Sequence, residues 1–303
     1  MMRRLISAVA VAVSAALVLT ACGGGDPLTA SPEPAGSTGS GGPTVVVGSA
    51  NFPENVLLAS MYSQALQAKG VKVQETFNVG SREILYDQVQ SGKLTVLPEY
   101  IGSLLAFIDK DSTARTKDEI VAGLKEKLPA TLEVLEPSPA EDNNSLTVTK
   151  ATATEHGLST IEDLVKVGKD FTVGGPPEFR TRQEENFKKV YGLEFKEWQP
   201  TGDATADAIK DGTVQVGNVF TTDPKIVLND LVSLKDTKNA FGADNIVPLV
   251  NKAGVNETVT STLNGISAKL DTQTLLGLMK RVAIDKEDAP AVAKDWLTQN
   301  GLL

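Results

Sequence analysis

Short apolar runs alternate along most of the chain with longer segments in which apolar residues recur at helical spacing. The valine-rich run at 44–48 is typical of a strand that is buried on both faces. Asn51 is predicted to cap the helix that follows it, and Gly70 to end that helix. The predicted elements here are strands at 44–48, 71–77, 94–97 and 132–135, and helices at 53–69, 81–90, 102–108 and 117–128. This βαβαβ order predicts a parallel sheet with helices on both faces.

A polar break at 137–144 separates this part from a second part with the same alternation. The second part is predicted to contain strands at 146–149, 171–174, 193–198 and 214–219, and helices at 160–167, 182–191 and 204–210. A last strand at 246–250 precedes three helical stretches that reach residue 303. We therefore predict an α/β protein of two lobes, the first comprising 44–143 and 246–303 and the second comprising 144–245.

Two stretches of the chain share one design: a helix ends in glycine, an alternating strand follows, and an aromatic residue stands eight positions after the glycine. Tyr100 follows Gly92 in this way, and Phe220 follows Gly212. Ligands bind at the loops beyond the carboxyl ends of parallel strands, so the two rings are predicted to face each other across a cleft. The alternative is that each ring packs into its own lobe, as most Tyr and Phe side chains do.

The first residues of the chain resemble an export signal. Arg3 and Arg4 precede an apolar run at 5–19, which ends in the small-residue sequence Leu-Thr-Ala before Cys22. This sequence resembles a bacterial lipobox, so we expect cleavage of a signal peptide at 1–21 and attachment of lipid to Cys22. Acyl chains would then hold the protein on the extracytoplasmic face of the cell membrane. A free cysteine near an ordinary secretory cleavage site is the alternative.

Residues 22–43 are rich in Gly, Ser, Pro and Thr and are predicted to form a disordered linker. Loss of Arg3 and Arg4 with the leader would move the formal net charge from −9 to −11, which disfavours binding to nucleic acid. Cys22 is the only cysteine, so no intramolecular disulfide can form. His156 is the only histidine, and we expect no metal site, catalytic residue or cofactor.

Five segments resemble one known family in the same order and at similar spacing. They are 46–52, 87–103, 174–179, 189–195 and 220–223. The family comprises the osmoprotectant-type substrate-binding proteins of ABC importers, which take up glycine betaine, choline or carnitine. The resemblance implies a type II periplasmic-binding-protein fold, in which two crossover strands join two lobes that close on a ligand. It also implies a non-enzymatic protein that delivers a small molecule to ABC permease subunits, and we expect it to be a monomer.

The resemblance also implies a ligand site. In this family a box of tyrosines holds a quaternary ammonium group, and basic residues take the carboxylate. Tyr100 matches the first box tyrosine, Ser103 matches a hydroxyl that follows it, and Arg182 matches the carboxylate-binding arginine, with Arg180 as a substitute. Ring faces suit this task, because a methylated cation cannot donate hydrogen bonds.

Other positions depart from the family pattern. Phe220 stands where a tyrosine is usual, and Leu146, shortly after Asn144, falls where another tyrosine is expected. Asp244 lies where a fourth aromatic residue is expected, and Ala50 replaces a basic residue. We include Asn144, Leu146, Phe220 and Asp244 among the expected ligand-binding residues, with Asp244 able to meet a cation by charge.

These departures keep other functions open. The same fold could bind a polyol, a sugar-like molecule or a phenolic compound. An exported hydrolase that uses Glu99 and Asp223 as acid and base is a less favoured alternative. A lipoprotein that retained the fold but lost transport, and acts as a sensor or scaffold, is the third.

Overall fold

The structure of this protein, a computed structural model, describes residues 44–177 and 179–303. The predicted signal peptide, Cys22 and the linker lie outside these residues. Within the described ranges, no helix combines the length and the apolar character needed to cross a bilayer.

The described chain alternates strands and helices throughout. Its strands are β1 (Val45–Gly48), β2 (Val73–Thr76), β3 (Val96–Tyr100), β4 (Leu132–Val134), β5 (Asn144–Thr149), β6 (Thr172–Gly175), β7 (Glu197–Pro200), β8 (Val216–Phe220), β9 (Leu231–Ser233) and β10 (Ile246–Asn251). The α-helices of the first part are α1 (Pro53–Ala68), α2 (Arg82–Gln90), α3 (Ile101–Ile108) and α4 (Lys117–Lys127). Those that follow are α5 (Lys150–His156), α6 (Ile161–Leu164), α7 (Phe179–Tyr191), α8 (Thr205–Lys210), α9 (Lys225–Leu228), α10 (Glu257–Ser267), α11 (Thr272–Ala283) and α12 (Ala289–Gln299).

The strands form two five-stranded sheets with the same plan. The first has the order β2-β1-β3-β10-β4 and the second has the order β7-β6-β8-β5-β9. In the first sheet β1 pairs in parallel with β2 and β3, whereas β10 is antiparallel to β3 and β4. In the second sheet β6 pairs in parallel with β7 and β8, whereas β5 is antiparallel to β8 and β9. Each sheet is therefore mainly parallel in strand direction, with one reversed strand.

The reversed strands are explained by the path of the chain, which crosses between the sheets twice. The crossing segments are 135–143, which leads into β5, and 234–245, which leads into β10. They lie side by side, because Glu141 bridges Asn245 and the N–H of Ile246 donates to the carbonyl of Ala140 at 3.0 Å. A strand that enters from the other sheet arrives in the opposite direction, which a βαβ pattern does not predict. The expected pair of crossover strands is present.

We use first lobe and second lobe for the two sheets with their helices, within the predicted limits. Helices cover both sides of the first sheet: α1 and the C-terminal helices pack around Val45 and Val47, and α2, α3 and α4 pack around Leu97 and Leu249. The core of the second lobe is rich in aromatic rings. From α11, Leu276 reaches an apolar cluster of the second lobe, so this helix packs against both lobes.

Several local predictions differ from the structure. Asn51 does not cap α1; Phe52 holds that position, and Pro53 occupies the first turn. The predicted strand at 193–198 is replaced by β7, because Leu193 and Phe195 pack into the core of the second lobe instead of joining the sheet. The helices α5 and α9 and the strand β9, all of seven residues or fewer, were not predicted.

The strand β3 extends to Tyr100, although Pro98 predicts an earlier end. In the structure Pro98 lies opposite Pro248 of β10. Neither residue has an N–H to donate, so two opposed prolines fit a position of the antiparallel ladder where no bond is exchanged. The carbonyl of Pro98 instead accepts a hydrogen bond of 3.0 Å from Nδ2 of Asn55. Because of this extension, Tyr100 is the last residue of a central strand.

Candidate functional site

The carboxyl end of β3 meets the start of α1 at one edge of the first sheet. Asn55 holds the two together, because its Oδ1 accepts the N–H of Ala50 at 2.7 Å while its Nδ2 donates to Pro98. This side chain is buried, so its hydrogen bonds are protected from water. The turn that carries Phe52 and the strand end that carries Tyr100 are thereby fixed relative to each other.

A cavity of about 280 Å³ opens beside these residues. We call it the Tyr100 hollow, and its lining includes Asn51, Phe52, Ser81, Arg82, Glu99 and Tyr100. The rings of Phe52 and Tyr100 stack at its wall, with centroids 6.3 Å apart and planes 30° apart. Phe52 is 39% exposed, which is unusual for a ring of this size and leaves part of its surface open to the hollow.

The cation of the Tyr100 hollow is paired within the protein. The guanidinium of Arg82 donates from Nε to Oε1 of Glu99 at 2.9 Å and from Nη2 to Oε2 at 2.9 Å. Although burial of the guanidinium acts to lower the pKa of Arg82, the hydrogen bonds and charge of Glu99 raise it above the ordinary value. This two-pronged pair is a strong and geometrically specific one, so Arg82 brings little net positive charge to the cavity.

The hydroxyl of Tyr100 donates a hydrogen bond to Oε1 of Glu54 at 2.7 Å. Glu54 stands in the first turn of α1 and is only 4% exposed. Burial raises the pKa of Glu54 to about 8, and the nearby charge of Asp142 acts in the same direction. The pKa of Tyr100 is raised well above its ordinary value, first by burial and then by the charge of Glu54. Both groups are therefore held largely in their protonated forms near neutral pH.

A second cavity, of about 230 Å³, lies where α3 meets the crossing segments. We call it the Ser103 hollow, and its lining includes Ser103, Asp109, Arg115, Asn144, Phe241 and Asp244. The N–H of Ser103 donates to Oδ1 of Asp244 at 2.9 Å, and its Oγ donates to Oδ2 at 2.6 Å. The first turn of α3 can come this close because residue 102 is glycine; a Cβ there would collide with the carbonyl oxygen of Ala243.

Three further carboxyl groups near the two hollows have raised pKa values. Burial raises the pKa of Asp244, although the hydrogen bonds from Ser103 act against this. Burial also raises the pKa of Asp142 to about 6, while its hydrogen bond from Thr222 at 2.7 Å lowers it. Burial likewise raises the pKa of Glu141, and Asp244 adds to this effect. Raised carboxyl pKa values show that the ionised carboxylates have too little positive charge near them. A bound cation would supply that charge.

Comparison with known proteins adds a decisive observation. Residues 43–299 match the family described as the substrate binding domain of the ABC-type glycine betaine transport system. The chain belongs to this family. The substrate-binding domain therefore spans nearly the whole described part of the chain. Substrate-binding proteins of such importers bind small ligands and work with permease subunits. The expectation that the chain is an importer component is therefore confirmed.

Named relatives agree with this membership. The chain is 28% identical over 276 residues to the glycine betaine-binding protein YehZ of Escherichia coli. The matched region covers 85% of this chain and 90% of YehZ. It is 28% identical over 279 residues to the glycine-betaine-binding protein of Pseudomonas aeruginosa, covering 86% of this chain and 89% of that one. The solved structure of apo YehZ superposes with a TM-score of 0.76 at 25% identity, covering 86% and 99% of the two chains. The predicted two-lobed periplasmic-binding-protein fold is thus confirmed.

The sequence-predicted site residues of this substrate-binding domain fall into separate groups. Ser103, Asn144 and Asp244 come together in the Ser103 hollow, and Tyr100 lines the neighbouring one. Phe220 ends β8 of the second lobe with 51% of its surface exposed. That these five residues contact the ligand stays a prediction.

Two further predicted residues lie elsewhere in the second lobe. Arg182 is exposed near the start of α7 and lines neither hollow. Leu146 is 0% exposed and packs in the hydrophobic core of the second lobe. Because β5 begins at Asn144, Leu146 lies two residues inside the strand, and its role as a ligand contact stays a prediction.

Each carboxyl group of the alternative acid–base pair has a hydrogen-bond partner in the structure. Glu99 is held by Arg82, and Oδ1 of Asp223 accepts the backbone N–H of Lys225 at 2.8 Å. The family is one of transport proteins rather than enzymes. Both carboxyl groups therefore have a structural task in this substrate-binding domain.

Sequence reasoning missed four residues of the site: Phe52, Glu54, Arg82 and Asp142. Phe52 and Glu54 directly follow the carboxyl end of β1, and Arg82 opens the helix after β2, so the rule used for Tyr100 could have found them. Asp142 gives no comparable signal, because its importance depends on which buried groups the crossing segment meets.

Proposed function

We propose that this chain captures a small quaternary ammonium compound of the glycine betaine, choline or carnitine class between its lobes and delivers it to an ABC permease. The observation that carries the proposal is the wall of the Tyr100 hollow. There two stacked rings stand beside the buried carboxyl groups of Glu54 and Glu99, and Arg82, which also lines this hollow, is paired with Glu99. Family membership and the names of the two relatives point to the same ligand class.

The chemistry of this wall suits a methylated cation. A quaternary ammonium group has no N–H, so it gains from aromatic faces, at about 0.5–2 kcal/mol each, and from nearby negative charge. Phe52 and Tyr100 offer the faces. Glu54 and Asp142 nearby, and Asp244 in the Ser103 hollow, offer negative charge when they are ionised. The same carboxylates would repel an anion, so a purely anionic ligand is disfavoured.

The second lobe would complete the site on closure. Phe220 and Arg182 lie on this lobe, and we propose that a hinge motion about the crossing segments brings them to the ligand. Phe220 would add a third ring, and Arg182 would take the carboxylate of glycine betaine or carnitine with its forked donors. Choline lacks this carboxylate, so Arg182 should contribute to the affinity for glycine betaine and carnitine but not to the affinity for choline.

The anchoring of the protein is a separate part of the proposal. The sequence before Cys22 supports lipid attachment outside the cytoplasm, and a monomer on a flexible linker would keep the binding lobes close to the permease. Replacement of Cys22 by serine should release the protein from the membrane fraction and abolish labelling by radioactive palmitate. Retention of both properties would contradict lipid attachment at Cys22.

Ligand identity is tested by thermal unfolding and calorimetry of residues 44–303. Glycine betaine, choline and carnitine are compared with polyols, sugars and phenolic compounds. We expect one quaternary ammonium compound to raise the midpoint of unfolding and to bind one to one. A response confined to a polyol, sugar or phenolic compound would replace the proposed ligand class while keeping the importer. The bound compound should be recovered chemically unchanged, and conversion of it would establish an enzyme instead.

A further inference from the structure

Glu54 is a buried carboxyl group that the ligand site alone does not explain. Its Oε1 accepts the hydroxyl of Tyr100, and the hydroxyl of Thr222 is near enough to lower its pKa. Its Oε2 is nevertheless buried and makes no well-formed hydrogen bond to the described residues. A buried ionised carboxylate without full compensation is strongly unfavourable, so it takes up a proton or pairs with a cation.

Asp142 interacts electrostatically with Glu54 and connects it to a crossing segment and to the second lobe. Asp142 lies on the crossing segment 135–143, and it accepts a hydrogen bond from Thr222, which follows β8 of the second lobe. Glu54 belongs to α1 of the first lobe. The pair therefore bridges the first lobe, a crossing segment and the second lobe at one point.

The surroundings of the pair are acidic on most sides. Tyr100 faces it from β3, Asp223 from the loop after β8, and Asp244 from the crossing segment 234–245. Glu141 adjoins Asp244, and Arg82 of α2 acts on Asp244 while bonded to Glu99. Lys117 also acts on Glu141 and lowers its pKa. The charged groups that act on Glu54 and Asp142 themselves are carboxylates, so the two groups would repel each other if both were ionised.

We propose that Glu54 and Asp142 together retain one proton before ligand binding and release it to solvent when a quaternary ammonium ion binds. This rests on the proposed function. The carboxyl O–H bond breaks, the electron pair stays on the carboxylate, and the positive charge of the ligand replaces that of the proton. Glu54 then acts as a positioning and charge-matching residue: it fixes the hydroxyl of Tyr100 and sets the charge of the hollow.

The proposal predicts a definite pH dependence. The pKa values of about 8 for Glu54 and about 6 for Asp142 place proton loss between these pH values. A cation binds the ionised form better, so its affinity should increase as the pH rises through this range, by up to about tenfold per pH unit for one linked proton. Choline is a suitable probe, because its ammonium charge does not change with pH.

The test is calorimetry of choline and glycine betaine binding from pH 5.5 to 8.5, in phosphate and in Tris, whose ionisation enthalpies differ. We expect the wild-type binding enthalpy to depend on the buffer at pH 7, which shows release of a proton, and the dissociation constant to fall with rising pH. Glu54→Gln should abolish both effects, and Asp142→Asn should reduce them. Glu155→Gln, a change of an exposed glutamate on α5 of the second lobe, should alter neither.

Each outcome separates the two proposals. Binding by the wild type with the same enthalpy in both buffers and the same affinity at every pH would overturn the proton coupling alone. Retention of the pH dependence by Glu54→Gln would overturn the role of this residue. Absence of binding of both compounds to the wild type at every pH would overturn the proposed function, and the coupling with it. If Glu54→Gln fails to fold, the buffer comparison of the wild type decides.

Discussion

The carboxyl ends of β3 and β8 are built in the same way but have different environments. In both, a glycine with positive φ follows the helix, at 77° for Gly92 and 75° for Gly212. The N–H groups of Leu94 and Val214 then donate to carbonyls six residues earlier, at 3.0 and 3.2 Å. Yet Tyr100, at the end of β3, is 6% exposed, and Phe220, at the end of β8, is 51% exposed.

The difference comes from the helix that begins beside each strand end. In the first lobe the start of α1 turns towards the edge of the sheet, so Phe52 stacks on Tyr100 and Glu54 accepts its hydroxyl. In the second lobe the corresponding α7 begins with Phe179, which is buried and packs against Phe187 and Trp198. One strand end is thus closed by its own lobe, whereas the other stays open for a ligand or for the opposite lobe.

The largest expected effect that separates the two ends is the loss of their rings. Tyr100→Ala should lower the free energy of unfolding by about 3–5 kcal/mol, because it removes a buried ring and the hydrogen-bond partner of Glu54. Phe220→Ala should change it by less than about 0.5 kcal/mol, because the ring is half exposed. Both should weaken ligand binding. Urea unfolding and calorimetry measure these quantities, and equal losses of stability would show that burial does not distinguish the ends.

A smaller effect is expected from the ion pair found only at the first strand end. Arg82→Ala should lower the free energy of unfolding by about 2–3 kcal/mol, because it leaves the carboxylate of Glu99 buried without its partner. Glu99→Gln in the same chain should restore part of this loss. A double-mutant cycle measures the coupling, and an interaction energy near zero would show that the pair adds nothing to stability.

Protonation should also distinguish the two ends. The pKa of Glu54 is raised on folding, so this group stabilises the folded state fully below its unfolded value near 4.5. That contribution decreases as the pH rises towards the folded value of about 8. The wild type should therefore lose stability relative to Glu54→Gln between these pH values in the absence of ligand. Urea titrations at several pH values measure the difference, which would stay constant if Glu54 were ionised in the folded protein.

The sequence was informative where local pattern decides and uninformative where tertiary partners decide. The matched spacing of Tyr100 and Phe220 after their glycines predicted both strand ends, because backbone geometry repeats with local sequence. Their different burial was not predictable, since it depends on where α1 and α7 begin. The extension of β3 past Pro98 was not predictable, because proline is unusual inside a central strand and the sequence does not show that Pro248 lies opposite it. Glu54 and Asp142 gave no signal as a pair, because they are 88 positions apart in sequence.

The smallest predicted effect tests what the two strand ends share. Gly92→Ala and Gly212→Ala should each lower the free energy of unfolding by roughly 1 kcal/mol, because alanine is strained at these positive φ values. Space does not oppose either change: a Cβ at residue 92 meets Asn251 at 3.6 Å, and one at residue 212 meets nothing within 4 Å. The two losses, measured by urea unfolding, should therefore agree, with Gly277→Ala in the helix α11 as a control that gains stability. A much larger loss of unfolding free energy for one glycine would show that the two turns contribute differently to stability despite their equal geometry.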